Sequence, residues 1–247
     1  SDAPADFQQI FIDIQKVEVK VDLDRSHEDD DQYASDDIDS DDTEEADEYG
    51  RWVTLNFAPQ VMDVLALRNG IERLLGNASV PTRVRKIRFT IGDRNWVVDG
   101  EGLDWGLTLN NDTQNSLYMH VTSVDMDNSL PGNVDLRVDM DLAKSIEMIG
   151  DTYYLHPQFR LFNIQRTGSV SGYISPIQMG ARVTILDQSG FEAGAIPSFE
   201  DGFFRIRGLV PGVLYTIKVD APGLHTYERR DVVVERQSET ELGEITL

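Results

Sequence analysis

Apolar and polar residues alternate along most of this chain, and a period of two predicts strands with one buried and one wet face. Between Phe7 and Leu23, Ile10, Ile12 and Ile14 share one parity, while Val17, Val19, Val21 and Leu23 share the other. The phase flips at Gln15-Lys16, which predicts a β-bulge or a bend between two strand halves. Trp52-Val53-Thr54-Leu55 resumes the pattern after Gly50. Val84 to Ile91 places Ile87, Phe89 and Ile91 inward and Arg88 outward, with Arg83, Arg85 and Lys86 nearby. Trp96-Val97-Val98 and Leu117 to Val121 are short strands, separated by a Gly/Asn/Asp-rich loop from Asp99 to Asn115. Val134, Leu136, Val138, Met140 and Leu142 alternate with four charged residues, and strands at Tyr153-Tyr154-Leu155 and Phe159 to Ile164 follow. One stretch has another period. Ile71, Leu74, Leu75 and Ala78 fall at i, i+3, i+4, i+7, which predicts a short helix near Gly70 to Asn77.

Arg166-Thr167-Gly168 reads as a domain boundary. Beyond it, strands are expected at Ser169 to Ile174, around Val183 and Ile185, and at Phe203 to Arg207. Others are expected at Leu214 to Val219, Val232 to Val234 and Leu242 to Leu247. Gly208 and Pro211-Gly212 punctuate them as turns. Short strands at such spacing predict a sandwich. The expectation is an all-β chain of two β-sandwich domains, 1–166 with one short helix and 167–247.

Charge changes the picture. The chain has 247 residues and a net charge of −22. The segment 22–48 holds fifteen acids against Arg25 as its one base, so it carries −14 of the total. Such a segment buries too little apolar surface to offset its ordering entropy, and it reads as a long acidic insertion loop. The charge opposes nucleic acid and anionic lipid as partners. The absence of Cys removes disulfides, thiolate zinc sites and cysteine nucleophiles. No apolar run reaches the ~18–20 residues that span a bilayer. The start at Ser1-Asp2-Ala3-Pro4 lacks an initiator Met, so an upstream leader is expected to have been removed.

The C-terminal residues carry a resemblance. Gly168-Ser169-Val170-Ser171-Gly172, Asp201-Gly202-Phe203-Phe204, Gly208-Leu209-Val210-Pro211-Gly212, Leu214-Tyr215 and Leu242-Gly243-Glu244-Ile245-Thr246-Leu247 resemble carboxypeptidase-regulatory-like, transthyretin-like (prealbumin-like) domains. That likeness speaks for fold and a spacer role in exported proteins. Residues 1–166 resemble domain-of-unknown-function family 4382, bacterial exported lipoproteins. The likeness lies in Asp2-Ala3-Pro4-Ala5-Asp6-Phe7, Val17-Glu18-Val19, Trp52-Val53-Thr54-Leu55 and Asp63-Val64-Leu65-Ala66-Leu67-Arg68-Asn69-Gly70. It continues in Leu74-Leu75-Gly76, Ile87-Arg88-Phe89, Asp141-Leu142-Ala143-Lys144-Ser145-Ile146 and Tyr154-Leu155-His156-Pro157. The family's usual Pro-Ala-Gly-x-Tyr connection is here Pro81-Thr82-Arg83-Val84-Arg85, and the acidic loop is an expansion. The resemblance implies an envelope lipoprotein at the outer membrane, cell surface or periplasm, anchored through an upstream lipid-bearing Cys. It implies no known activity.

Candidate chemistry is sparse. Asp37, Asp39, Asp41 and Glu44 have the alternate spacing of oxygen ligands in a Ca²⁺ loop. Glu48 falls twelfth from Asp37, yet the turn glycine of an EF-hand is missing, and a solvated polyanion is the plainer reading. His27, His120, His156 and His225 form no close pair and no H-E-x-x-H. No G-x-S-x-G nucleophile turn occurs, and Gly168-Ser169-Val170-Ser171-Gly172 reads as an edge strand. Acids are too abundant for any pair to indicate glycoside hydrolysis. Trp96 and Trp105 flank the Asp99 to Asp104 loop, with Tyr118, Tyr153 and Tyr154 as further aromatics, and exposed rings of this kind stack on sugars; core packing is the plainer reading.

The expected function is non-enzymatic: an exported lipoprotein that binds or adheres to a protein or glycan at the envelope. It touches the membrane only through its lipid and has no certain cofactor, calcium being the candidate. The alternatives are a carbohydrate-binding module and a calcium-dependent structural or interaction protein, with a hydrolase last.

Overall fold

The computed structural model describes residues 7–22, 50–77, 84–109, 115–120, 136–178 and 180–247. Its first part contains β1 (Gln9–Asp22), β2 (Gly50–Thr54), β3 (Gln60–Asp63), β4 (Val84–Ile91), β5 (Trp96–Val98) and β6 (Asp104–Leu109). It continues with β7 (Ser116–His120), β8 (Leu136–Met140), α1 (Leu142–Ser145), β9 (Ile146–Ile149), β10 (Thr152–Leu155) and β11 (Phe159–Asn163). Nine strands make one sheet in the order β7-β4-β1-β5-β6-β10-β9, with β2 and β3 pairing the other edge of β1.

β1 is the strand the sheet is built on, and its phase flip is a bulge. Ile14 pairs Ile91 and Lys16 pairs Thr90, so Gln15 is the extra residue. The bulge lets Ile10, Ile12 and Ile14 before it and Val17, Val19 and Val21 after it all enter one core. Without it the second half would turn its valines to solvent. The two-stranded ribbon β8–β11 covers that core, with Leu136, Val138, Met140 and Leu161 half-buried against it. Phe159 of the ribbon stacks on Phe89 of the sheet, ring centroids 5.3 Å apart.

The second part contains β12 (Gly168–Ser175), β13 (Arg182–Asp187), β14 (Glu192–Ala195), β15 (Phe203–Leu209), β16 (Leu214–Asp220), β17 (Tyr227–Val233) and β18 (Glu239–Thr246). Sheet β15-β12-β18 faces sheet β14-β13-β16-β17 across a second core that includes Val170, Val183, Phe204, Ile206, Tyr215 and Ile217. Each such buried side chain is worth about 1.5–3 kcal/mol. The buried Tyr215 hydroxyl accepts from Val210 N at 2.8 Å and donates to Val210 O at 3.2 Å, so its polar tip is satisfied. The chain is all-β, with β-sandwich layering.

The two parts meet at the 3₁₀ turn Leu65–Gly70. Asp63 Oδ1 accepts from Ile10 N and Leu65 N, which pins the turn to β1, and Leu65 enters the first core. At its end, Asn69 adopts a left-handed conformation, φ 58°, and its side-chain amide meets the outer edge of β15. Nδ2 donates to Phe203 O at 3.0 Å, and Oδ1 accepts from Arg205 N at 3.3 Å. Glu72 takes both Arg207 and Arg137, and Lys144 pairs Glu192 at 2.8 Å. Ile196 and Phe199, which follow β14, pack into the first core.

Three expectations differ from the structure. The short helix is α1, opened by Asp141 whose side chain accepts from Lys144 N; residues 71–77 form no helix. Ile71 and Leu74 are 62% and 79% exposed, so among the described residues of the expected apolar face only Leu75 packs on the core; Ala78 lies outside the described residues. A helix so short cannot recover its nucleation cost without a buried face. Second, β12 is central, between β15 and β18, rather than at an edge. Gly172 suits this place: a Cβ there would lie 3.0 Å from Gly243 O of β18 and 3.0 Å from the Phe204 ring of β15. Third, the loop expected from Asp99 to Asn115 contains strand β6, which carries Trp105.

Candidate functional site

Backbone register separates the two tryptophans named from the sequence. Trp96 pairs Gly106 and Trp105 pairs Val97, so their side chains leave opposite faces of the β5–β6 hairpin. Trp96 stacks on Phe11 at 4.4 Å. Trp105 instead joins a line of rings on the core face. Buried Phe7 meets Tyr153 edge-on at 5.2 Å, and Tyr153 meets Trp105 at 6.2 Å and 75°. The line ends at the surface, where Trp105 is 40% exposed. Parallel pairing of β6 with β10 brings Tyr153 beside Leu107, two residues beyond Trp105.

The indole is held from its other side as well. Trp105 Nε1 donates to Asp99 Oδ2 at 2.7 Å. Asp99 Oδ1 also accepts from the backbone N of Glu101 and of Leu103, both at 2.9 Å, which shapes the turn into β6. The Leu103 amide and the Trp105 N–H together hold the Asp99 carboxyl below the usual carboxylate range. The indole orientation is therefore set before any ligand arrives.

Trp105 and Tyr153 line an open groove of about 540 Å³, together with Asp93, Asn95, Thr108, Asp151 and Thr152 among others. Asn95 is committed to structure: Oδ1 accepts from Asp13 N and Nδ2 donates to Gly92 O, both at 2.8 Å. Arg94 is turned onto the buried Asp13 carboxylate, with Nε at 3.1 Å and Nη2 at 3.3 Å. Burial alone would raise the Asp13 pKa. Hydrogen bonds from Arg94 and Gln15 outweigh it and leave the pKa below its ordinary value.

A second charged cluster lies on the outer face of β1. Glu18 is buried, yet Lys16 Nζ reaches it at 2.6 Å and Arg88 at 2.7 Å. Arg88 also sits over the Trp52 ring at 4.1 Å. Burial raises the Glu18 pKa, but these two cations bring it below the ordinary value. Every member has a partner, so the cluster reads as a satisfied network.

Domain of unknown function (DUF4382) matches residues 1–157. The chain belongs to that family. No curated protein matches it. The DUF4382 region holds most of the first core, the Asp63–Gly70 turn and all the residues that line the Trp105–Tyr153 groove.

Of the other residues singled out, Asp37, Asp39, Asp41 and Glu44 lie outside the described residues, as does His27. His156 approaches Glu147 at 3.4 Å, and His225 is exposed on the other part of the chain. Among the described residues, no three His, Asp or Glu side chains are grouped to hold a metal ion. Asp93 and Asp151 were not anticipated. They reach the groove through the β4–β5 turn and the β9–β10 turn, and nothing local in sequence joins them.

Proposed function

We propose that this DUF4382 protein is an exported, lipid-anchored envelope protein that binds rather than catalyses. The observation that carries the binding reading is Trp105. An indole fixed by Asp99 and Tyr153, yet left exposed beside a groove, is a surface prepared for contact. The address rests on the lipoprotein likeness read from the sequence of residues 1–166. Residues 167–247 then act as a transthyretin-like, carboxypeptidase-regulatory-like stalk or docking module. The two sheets over one core and the Tyr215 tie to Val210 support that reading.

The address is tested on the full-length gene product in its own cells. Radiolabelled palmitate should enter the protein, and the label should sediment with membranes. A product that stays unlabelled and in the soluble fraction would sink the lipoprotein reading.

Carbohydrate binding is the second reading, and the exposure of Trp105 favours it. A glycan array run with wild type and Trp105→Ala tests it, with loss of signal in the variant expected. The calcium reading rests on Asp37, Asp39, Asp41 and Glu44. It is separated from the sugar reading by whether EDTA abolishes partner binding.

A further inference from the structure

We infer that the groove beside Trp105 takes a ligand through an alkylammonium group. This rests on reading the groove as the binding surface. Three observations carry it.

The first is the aromatic corner. Trp105 and Tyr153 stand nearly perpendicular, 75° apart, and both line the groove. Electron-rich ring faces attract a cation, and tryptophan does so most strongly. The Asp99 carboxylate, 2.7 Å from the indole N–H, pushes further electron density into that ring.

The second is charge. The groove is lined by the carboxylates of Asp93 and Asp151, and no Lys or Arg is among its lining residues. Arg94, next in sequence, is already paired with the Asp13 carboxylate at 3.1 Å. The net charge of the whole chain is −22, of which segment 22–48 supplies −14. An anionic glycan or phosphate would be repelled, and a cation is drawn in.

The third separates an ammonium from a neutral sugar. Sugar hydroxyls are oriented by amide and guanidinium donors paired with carboxylates. Here the Asn95 amide is consumed by Asp13 N and Gly92 O, and Asn115 Nδ2 is turned to Asp93 at 3.4 Å. What lines the groove beside the two aromatic residues is carboxylate rather than amide or guanidinium, from Asp93 and Asp151. That set suits a donor-rich or quaternary cation.

The test uses the full chain and saturation-transfer NMR, read on the ligand's own protons. Choline, glucosamine and an N-acetyl-lysine amide serve as three sources of the ammonium. The uncharged isostere 3,3-dimethylbutanol and methyl glucoside are the neutral arms. At least one ammonium compound should bind, and both neutral compounds should bind at least about five-fold more weakly. Trp105→Leu should weaken the cation about five-fold. Asp151→Asn, on an exposed turn, should weaken it about three-fold without disturbing the fold, and added salt should do likewise. Equal binding of choline and its isostere overturns the ammonium assignment. Binding of the glucoside alone overturns it too, while leaving the groove as the binding surface. No binding in any arm overturns both.

Discussion

The Asn69 side chain hydrogen-bonds the backbone of Arg205 as a neighbouring strand would. Its amide presents one donor and one acceptor to the outer edge of β15, at 3.0 and 3.3 Å, where Phe203 O also accepts from Ser198 N at 2.8 Å. An unpaired strand edge otherwise invites intermolecular pairing. The left-handed backbone at Asn69, φ 58°, is what turns the amide toward that edge. Asn tolerates this conformation better than most residues.

Two substitutions separate the amide from the backbone. Asn69→Gly keeps the left-handed turn and removes both hydrogen bonds, and it should cost about 1–2 kcal/mol. Asn69→Ala should cost about 1–2 kcal/mol more, because Ala resists positive φ. Urea denaturation measures both. Variants matching wild type would show that the clamp adds no stability.

Gly208 is a second tight point of the seam. Its φ is +71°, and a Cβ there would meet the Phe162 ring at 2.6 Å. Gly208→Ala should destabilise by about 2–4 kcal/mol, from backbone strain and overpacking together. Phe162→Ala in the same chain should recover the overpacking share, so the double variant should cost less than the two singles added. Strict additivity in denaturation would place the two residues out of contact.

Acid should weaken the first core. Asp13 and Glu18 are buried, and burial opposes their ionisation. The cations and amides around them prevail, so both folded pKa values lie below the unfolded ones. Each group adds stability that is complete above its unfolded value, about 4, and is lost as pH falls through the folded value. Stability measured from pH 6 downward should fall below about pH 4. Glu18→Gln should start lower and fall less steeply. Parallel curves for the two proteins would remove Glu18 from the effect.

Tyr215→Phe should cost about 1–3 kcal/mol. It deletes the hydroxyl that satisfies both Val210 N and Val210 O inside the second part of the chain. Thermal unfolding with circular dichroism reads the loss. An unchanged midpoint would mean that water replaces the hydroxyl.

Leu74 and Leu75 test the irregular connection. Leu74→Lys should leave stability within about 0.5 kcal/mol, because the side chain is 79% exposed. Leu75→Lys should cost clearly more, since Leu75 packs on the first core. Comparable losses at both positions would favour a helix there instead.

Strong alternation made most strands legible. Val84 to Ile91 and Trp96 to Val98 stand where their pattern puts them, and the parity change at Gln15 marks a real bulge. β6 and β14 were hidden. Gly106 interrupts the first, and Glu192-Ala193-Gly194-Ala195 has little intrinsic strand preference. The helical spacing at Ile71 misled, because spacing alone does not reveal whether a core lies opposite. For the site, Trp105 and Tyr153 were visible as aromatics. Their meeting depends on the parallel pairing of β6 with β10, and Asp93 and Asp151 arrive from separate turns. Such long-range register leaves no local trace. The separation of Trp96 from Trp105 depends likewise on a cross-strand pairing.

The parallel pairing of β12 with β18 has a mechanical consequence. The start of β12 and the end of β18 lie at opposite ends of their shared ladder. Tension between residue 168 and the C-terminus therefore loads every rung at once, in shear. An antiparallel pair in that place would peel open one rung at a time. A protein tethered at one end and tugged at the other would meet its firmest resistance in this strand pair.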